Sequence, residues 1–232
     1  MKRLLLALFL LFPMACSRGR PEVPILNYHS VGQGAGEFTV PPPLFEAELD
    51  WLADHGFHTA SLHDLLESRE GRRPLPSRPV ILTFDDGKED ALRLVLPALQ
   101  KRGMRGTFFI ITGMVGRDGY LTWGDVRALA RAGMEVGSHT VTHPRLADET
   151  AERVDAELRE SRSRLEAELQ QPIEALAYPY NSVRARIARA AAAAGYRVAV
   201  AGAVHGNANS MRLLRIPIDG RSPATQLEQL LR

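Results

Sequence analysis

Cysteine is almost absent from this chain of 232 residues: Cys16 is the only one, so no internal disulfide can staple the fold. An excess of one charge is missing too, since 29 lysines and arginines face 27 aspartates and glutamates, with no basic run that could track a phosphate backbone. Nucleic acid is therefore not an expected partner. The apolar run at residues 4–12 is too short to span a bilayer, which takes about 20 residues. No segment repeats, and no serine or cysteine sits in a nucleophile-elbow motif, so no covalent nucleophile of that kind is offered. What is present is an ordinary globular composition, 45% hydrophobic and 24% charged, enough for a substantial core without cross-links and unlike a disordered chain.

The N-terminus follows the plan of an export signal: Lys2 and Arg3, the apolar run, then Pro13-Met14-Ala15 before Cys16. Cys16 lies where a bacterial lipoprotein signal places its lipidated residue, although Pro13 stands where such signals usually carry leucine. The expected division is a signal peptide at 1–15, a short tether at 16–22 and one domain at 23–232. The expected location is the cell envelope, with a monomer held to a membrane through lipid on Cys16; ordinary cleavage after Ala15 is the alternative.

From residue 24 onward, short apolar or β-branched runs alternate with amphipathic stretches, as in βα units around a parallel sheet or barrel. Strands are predicted at 25–28, 80–84, 106–111, 134–136, 175–178, 197–201 and 213–216, with a further one at 58–60. Thr122 and Asp125 form a capping-box pattern for a helix to Ala132 that Gly133 stops, and a longer helix is predicted at 150–170 with a solvated polar face. A small-residue helix is expected at 188–194, and Pro97 should break or delay a helix within 89–102. Residues 32–43 and 71–79 read as loops.

Catalytic groups in such folds sit where strands end. The strand at 80–84 runs into Asp85-Asp86-Gly87, and burying two carboxylates there is costly unless a metal or hydrogen bonds compensate them. A second apolar strand runs into Gly137-Ser138-His139-Thr140-Val141-Thr142-His143. On a helical turn His139 and His143 would share a face and present both rings to one ion. Two histidines and one of the paired carboxylates suit zinc or a neighbouring divalent metal, leaving the other aspartate free to take a proton from water. That chemistry is hydrolysis of an acyl group.

Thr83-Phe84-Asp85-Asp86-Gly87 together with His139-Thr140-x-x-His143 resembles the first two signature motifs of the polysaccharide deacetylases, the NodB-homology group of carbohydrate esterase family four. The resemblance extends over roughly residues 23–218 and is nearest the branch that acts on biofilm poly-N-acetylglucosamine. Ile25-Leu26-Asn27-Tyr28-His29 is similar to that branch's opening Leu-x-Tyr-His, Ala177-Tyr178-Pro179-Tyr180 to its third motif, and Arg215-Ile216-Pro217 to its closing strand. It implies an α/β fold, a distorted (β/α) barrel of about seven strands in a single domain. It also implies Asp85 as general base, Asp86, His139 and His143 as ligands of one divalent ion (Zn2+, or Co2+, Ni2+ or Mn2+), and the backbone N–H of Tyr180 as a donor to the oxyanion.

The departures are specific. The family's third-motif arginine, which orients the base, is Ala177 here, and the sequence names no substitute. Asn181 replaces a glycine, a position where asparagine tolerates a left-handed backbone, and Lys88 replaces an aromatic after Asp-Asp-Gly. The late Asp and Trp motif and the late Leu-x-x-His that supplies the general acid are both missing. His29, at the end of strand one, is the preferred acid and His205 the alternative, because the first and last strands of a closed barrel are neighbours. Trp51 and Trp123 are expected to pack, and His55, His58 and His63 to make solvent or hydrogen-bonding contacts. The expected function is metal-dependent removal of N-acetyl groups from an extracellular aminosugar polysaccharide. O-acetyl esterase action on a xylan-like polymer and a catalytically weak polysaccharide-binding protein are the alternatives.

Overall fold

The short apolar runs become parallel strands and the amphipathic stretches between them become helices. The computed structural model describes residues 23–34, 36–202, 209–221 and 224–231. The expected signal peptide, Cys16 and His205 lie outside the described residues. In chain order the elements are β1 (Ile25–Tyr28), β2 (Ser30–Val31), β3 (Thr39–Val40), α1 (Pro42–Asp54), β4 (His58–Ala60), α2 (Leu62–Arg69) and β5 (Pro79–Phe84). A π-helical turn, Ala91–Val95, leads into α3 (Leu96–Gln100), followed by β6 (Thr107–Ile110), α4 (Trp123–Arg131), β7 (Glu135–Ser138) and α5 (Ala151–Leu169). The chain continues through β8 (Ala175–Ala177), α6 (Ala185–Ala193), β9 (Val198–Ala201), β10 (Leu213–Leu214), β11 (Ile216–Pro217) and α7 (Gln226–Leu230).

The main sheet runs β10-β9-β8-β7-β6-β5-β1-β11, with β4 alongside the first half of β5, and every pairing is parallel. Its two edges belong to one extended stretch interrupted only at Arg215. There the Arg215 N–H donates to Ala201 O at 2.9 Å, and three residues on the Ile218 N–H donates to Asn27 O at 2.9 Å. The stretch thus passes from the β9 edge to the β1 edge and nearly closes the sheet into a barrel. Counted once, it makes the seven-stranded barrel that the resemblance implies.

The period-two alternation of each strand sorts its side chains. Leu26, Tyr28, Leu82, Phe84, Phe108 and Leu176 point outward and join the core beneath the helices, with Phe45, Leu49, Leu129 and Leu158. Ile25, Ile81, Phe109, Ala175, Val198 and Leu213 fill the barrel interior, which Leu62, Leu65 and Leu66 of α2 plug at one end. Burial on both faces is why these strands read as continuous apolar runs. A Cβ at position 137 would lie 2.6 Å from the Phe109 ring, so glycine there lets the aromatic occupy the interior. Below it, half-buried Glu135 accepts hydrogen bonds from Thr107 Oγ1 and from the first two N–H groups of α2, Leu62 and His63, at 2.6, 2.8 and 3.0 Å.

Several expectations shift by a few residues. Pro97 sits in the first turn of α3, where its missing N–H is harmless, and the irregular turn before it takes up the expected break. The predicted loop at 32–43 contains β3 and the start of α1, and the small-residue helix begins at Ala185. The capping box of Thr122 and Asp125 forms as read, and Thr150 caps α5. The polar face of α5 is not simply solvated, because Glu157 and Ser161 are buried. Among the described residues no helix is long and apolar enough to cross a membrane.

Candidate active site

At the C-terminal ends of the strands the inward positions change from apolar to polar: Ile25, Asn27, His29 along β1, Ile81, Thr83, Asp85 along β5, and Leu213, Arg215 on the closing stretch. A cleft of about 520 Å3 opens there. It brings together Asp85, Asp86, His139, His143, His29 and Tyr180, all six described residues on which the sequence reading placed catalytic or binding roles.

The two aspartates diverge because the strand ends in consecutive left-handed residues, Asp86 at φ 72° and Gly87 at φ 67°. Asp85 stays in register with the inward positions, and Asp86 swings toward the histidines. His139 and His143 do not share a helical turn, contrary to the expectation from their spacing. They sit on an irregular loop with Thr140 at φ 67° and His143 at φ 60°, closed by the His143 N–H donating to Thr140 Oγ1 at 3.0 Å. The buried carboxylate of Glu157 on α5 supports this loop, accepting from the N–H groups of Val141 and Thr142 at 2.8 and 2.9 Å and from Thr142 Oγ1 at 2.5 Å. Of seven non-glycine residues with positive φ among the described residues, five lie in the turns that carry the site: Asp86, Thr140, His143, Tyr180 and Asn181.

Asp86, His139 and His143 offer ligand atoms all within 4.8 Å of one another. His139 Nδ1 lies 2.9 Å from the carbonyl oxygen of Ala177, an acceptor, so Nδ1 carries the proton and Nε2 presents its lone pair to the site. Burial and the neighbouring His139 push His143 down to about 4, so its ring is unprotonated at neutral pH. The two Nε2 atoms are 3.1 Å apart, and Asp86 Oδ1 is 3.6 and 3.8 Å from them. Lone pairs and a carboxylate converging in this way suit a divalent cation, and two imidazoles with one carboxylate form a donor set fit for zinc or its neighbours.

Asp85 is held from an unforeseen direction. Arg215 donates from Nη1 to Oδ1 and from Nη2 to Oδ2, each at 2.7 Å, and Nη1 also reaches Thr83 Oγ1 at 3.2 Å. Burial opposes the charge on Asp85, but Arg215, with His139 and His29 beyond it, outweighs that and holds the carboxyl well below the usual carboxylate range. The sequence held one clue to this pairing: a lone arginine inside the apolar stretch Leu213-Leu214-Arg215-Ile216-Pro217 needs a buried partner.

His29 Nε2 lies 3.9 Å from Asp85 Oδ2. Burial lowers its pKa more than Asp85 and Asp86 raise it, which makes the charged ring a stronger proton donor than a free imidazolium. Two exposed aromatics flank the cleft: Phe38, its ring centroid 4.9 Å from that of His29, and Tyr180, 4.6 Å from His143 and beneath the Arg145 guanidinium. Phe38 lies in a segment read as loop and went unnoticed in the sequence.

The other expected residues take structural places. Lys88 rests on the Tyr120 ring, 3.8 Å from its centroid, in an adjoining groove. Trp51 and Trp123 pack against the core, while His55, His58 and His63 bond through Nδ1 to Trp51 O, Ser77 O and Glu174 Oε2.

The profile of the polysaccharide deacetylase family matches residues 72–199. YxkH of Bacillus subtilis (strain 168), assigned by its name to the polysaccharide deacetylases, is 31% identical over 180 residues, 77% of this chain and 64% of that protein. The poly-beta-1,6-N-acetyl-D-glucosamine N-deacetylase of Escherichia coli (strain K12) is 27% identical over 134 residues, 50% of this chain and 20% of that enzyme. This chain therefore spans less than two thirds of either relative. Among solved structures, the Streptococcus pyogenes deacetylase PplD in complex with acetate superposes with a TM-score of 0.84 at 27% identity, covering 91% of this chain and 98% of that one.

Proposed function

The chain belongs to the polysaccharide deacetylase family, and from that premise we propose that it hydrolyses N-acetyl groups of an envelope or extracellular aminosugar polymer, a poly-N-acetylglucosamine or peptidoglycan strand. The observation that carries this reading is the meeting of Asp85, Asp86, His139 and His143 in one cleft, with exposed aromatics beside them for a sugar ring. The E. coli relative's name supports the aminosugar substrate, and the acetate held by PplD supports acetyl release.

Asp86, His139 and His143 would hold a divalent ion, zinc in first place, which would supply Lewis acidity toward the acetyl carbonyl and toward water. Asp85 accepts the proton of the attacking water, its carboxylate kept ionised and aimed by Arg215. The water oxygen bonds to the acetyl carbon, the C–N bond breaks, and His29 delivers a proton to the departing amine. The backbone N–H of Tyr180 donates to the carbonyl oxygen as negative charge gathers on it. The same reading has the chain exported by residues 1–15, held at a membrane through Cys16, and acting as a monomer.

The test is acetate release by the purified protein on poly-N-acetylglucosamine, chitin, peptidoglycan and acetylated xylan, with and without chelator. Chelator-sensitive release from one of the N-acetylated polymers is expected. Release from none of them, with the protein loaded with zinc or cobalt, overturns the reading.

A further inference from the structure

Asn27 occupies the open position of the Leu-x-Tyr-His motif, and the reaction above gives it no task. It is 5% exposed, lies on β1 between the inward residues Ile25 and His29, and lines the cleft. Its Oδ1 is buried and has no hydrogen-bond partner. A buried acceptor left unpaired is unfavourable, so an amide in this place calls for a donor from a ligand.

The surrounding groups narrow what that donor is. Arg215, on the stretch that pairs with β1, brings only donors: both Nη groups are taken up by Asp85, and Nε is buried without a partner. Asp85 holds Arg215 and, in the proposed reaction, keeps its remaining lone pairs for the attacking water, while Asp86, His139 and His143 face one another across the candidate metal position. Two buried neutral groups of this wall are unpaired, Asn27 Oδ1 and His29 Nδ1. With His29 assigned to proton delivery, Asn27 Oδ1 is the acceptor left for a ligand, two residues before His29 and facing the same way, His29 lying just past the end of β1.

We propose that Asn27 is a specificity-determining residue whose Oδ1 accepts the N–H of the acetamido group being cleaved, so that the cleft favours N-acetyl over O-acetyl substrates. The assignment rests on the deacetylase reading above and on His29 standing on the leaving-group side. An amide nitrogen can take a proton only after its lone pair is freed and turned toward the acid. An acceptor that fixes the N–H from the same strand turns the opposite lobe of that nitrogen toward His29. An acetyl ester has no N–H, and bound in this cleft it would leave Oδ1 unpaired, the situation that lets a polar site reject an analogue lacking one donor.

The experiment compares kcat/KM on a chitin oligomer with that on a cellulose oligomer of equal length acetylated at O2, for the full chain with its metal and for Asn27→Leu and Asn27→Asp. Wild type should prefer the amide. Asn27→Leu should lose about 10-fold or more on the amide and change less than about 2-fold on the ester. Asn27→Asp, which keeps an acceptor oxygen in the same place, should retain the preference. Equal losses on both substrates in either variant, or an unchanged ratio in Asn27→Leu with unaltered thermal unfolding, overturns the assignment. Wild type that releases acetate from neither oligomer nor from poly-N-acetylglucosamine or peptidoglycan overturns the deacetylase reading itself and this assignment with it, an outcome distinct from an active enzyme whose ratio does not depend on position 27.

Discussion

Arg215 grips both oxygens of Asp85 across the seam of the barrel, each Nη 2.7 Å from its partner. The grip answers the question raised by Ala177, whose side chain in the barrel interior is too short to orient a base. The guanidinium comes from the point where the closing stretch leaves β9 for β1, so the contact that holds Asp85 also sits at the barrel's closure. Arg215→Met should leave a lone buried carboxylate, with a loss of about 3–5 kcal/mol in stability and a rise in the pKa of Asp85. The acidic limb of the kcat/KM profile should move upward, and Arg215→Lys should fall between, keeping the charge without the planar two-point contact. An acidic limb that stays in place in Arg215→Met would reduce the contact to a structural one.

Asp85 and Asp86 are adjacent in sequence, and the proposed mechanism divides them in task. Asp85→Asn should abolish turnover while the protein keeps its metal, because the amide takes no proton, keeps one acceptor for Arg215 and is not among the three candidate ligands. His139→Ala and Asp86→Ala should each lose the ion, read by metal analysis of the purified protein. Equal metal loss in Asp85→Asn and Asp86→Ala would overturn the division.

The strands were legible because a parallel sheet buried on both faces writes itself as apolar runs, and Asp85, Asp86, His139 and His143 were legible because each follows such a run. What escaped was non-local or depended on backbone geometry that residue type does not announce. Arg215 and Asp85 lie 130 residues apart, joined only by barrel closure. The His139 to His143 spacing imitates a helical turn, whereas the path runs through left-handed Thr140 and His143, conformations that neither side chain favours. Glu157, four residues after Arg153, reads as one more surface ion pair on α5 until the loop it supports comes into view.

Glu157 supplies the acceptor that the strained histidine loop lacks. Glu157→Gln keeps the shape and loses the charge that strengthens two N–H contacts, so metal affinity should fall about 10- to 100-fold with the barrel intact. A competition titration with a chromophoric chelator measures it. An affinity matching wild type would mean that the loop holds its geometry unaided.

Phe38 and Tyr180 stand at the cleft with their rings beside His29 and His143. If they stack on the sugar, Phe38→Ala and Tyr180→Ala should each raise KM for an oligomer by about 3- to 10-fold and leave kcat nearly unchanged. A fall in kcat alone would assign them to holding the histidines instead.

A last prediction concerns stability away from the cleft. Glu48 on α1 is buried, accepts a hydrogen bond from the Tyr28 hydroxyl at 3.1 Å, and burial pushes its carboxyl up from 4.5 to about 8, with Asp219 adding to the rise and Tyr28 opposing it. The unfolded chain releases this proton near 4.5, and the folded protein holds it until about 8. Between those values the unfolded state is increasingly favoured, so the contribution is fully present below about 4.5, declines as pH rises, and is lost above about 8. The change amounts to a few kcal/mol at about 1.4 kcal/mol per pH unit. Glu48→Gln, neutral at every pH and able to accept from Tyr28, should flatten that slope. Thermal unfolding should then show the variant close to wild type at pH 5 and more stable at pH 8.5, whereas parallel curves at both pH values would mean that Glu48 ionises in the fold as freely as in the unfolded chain.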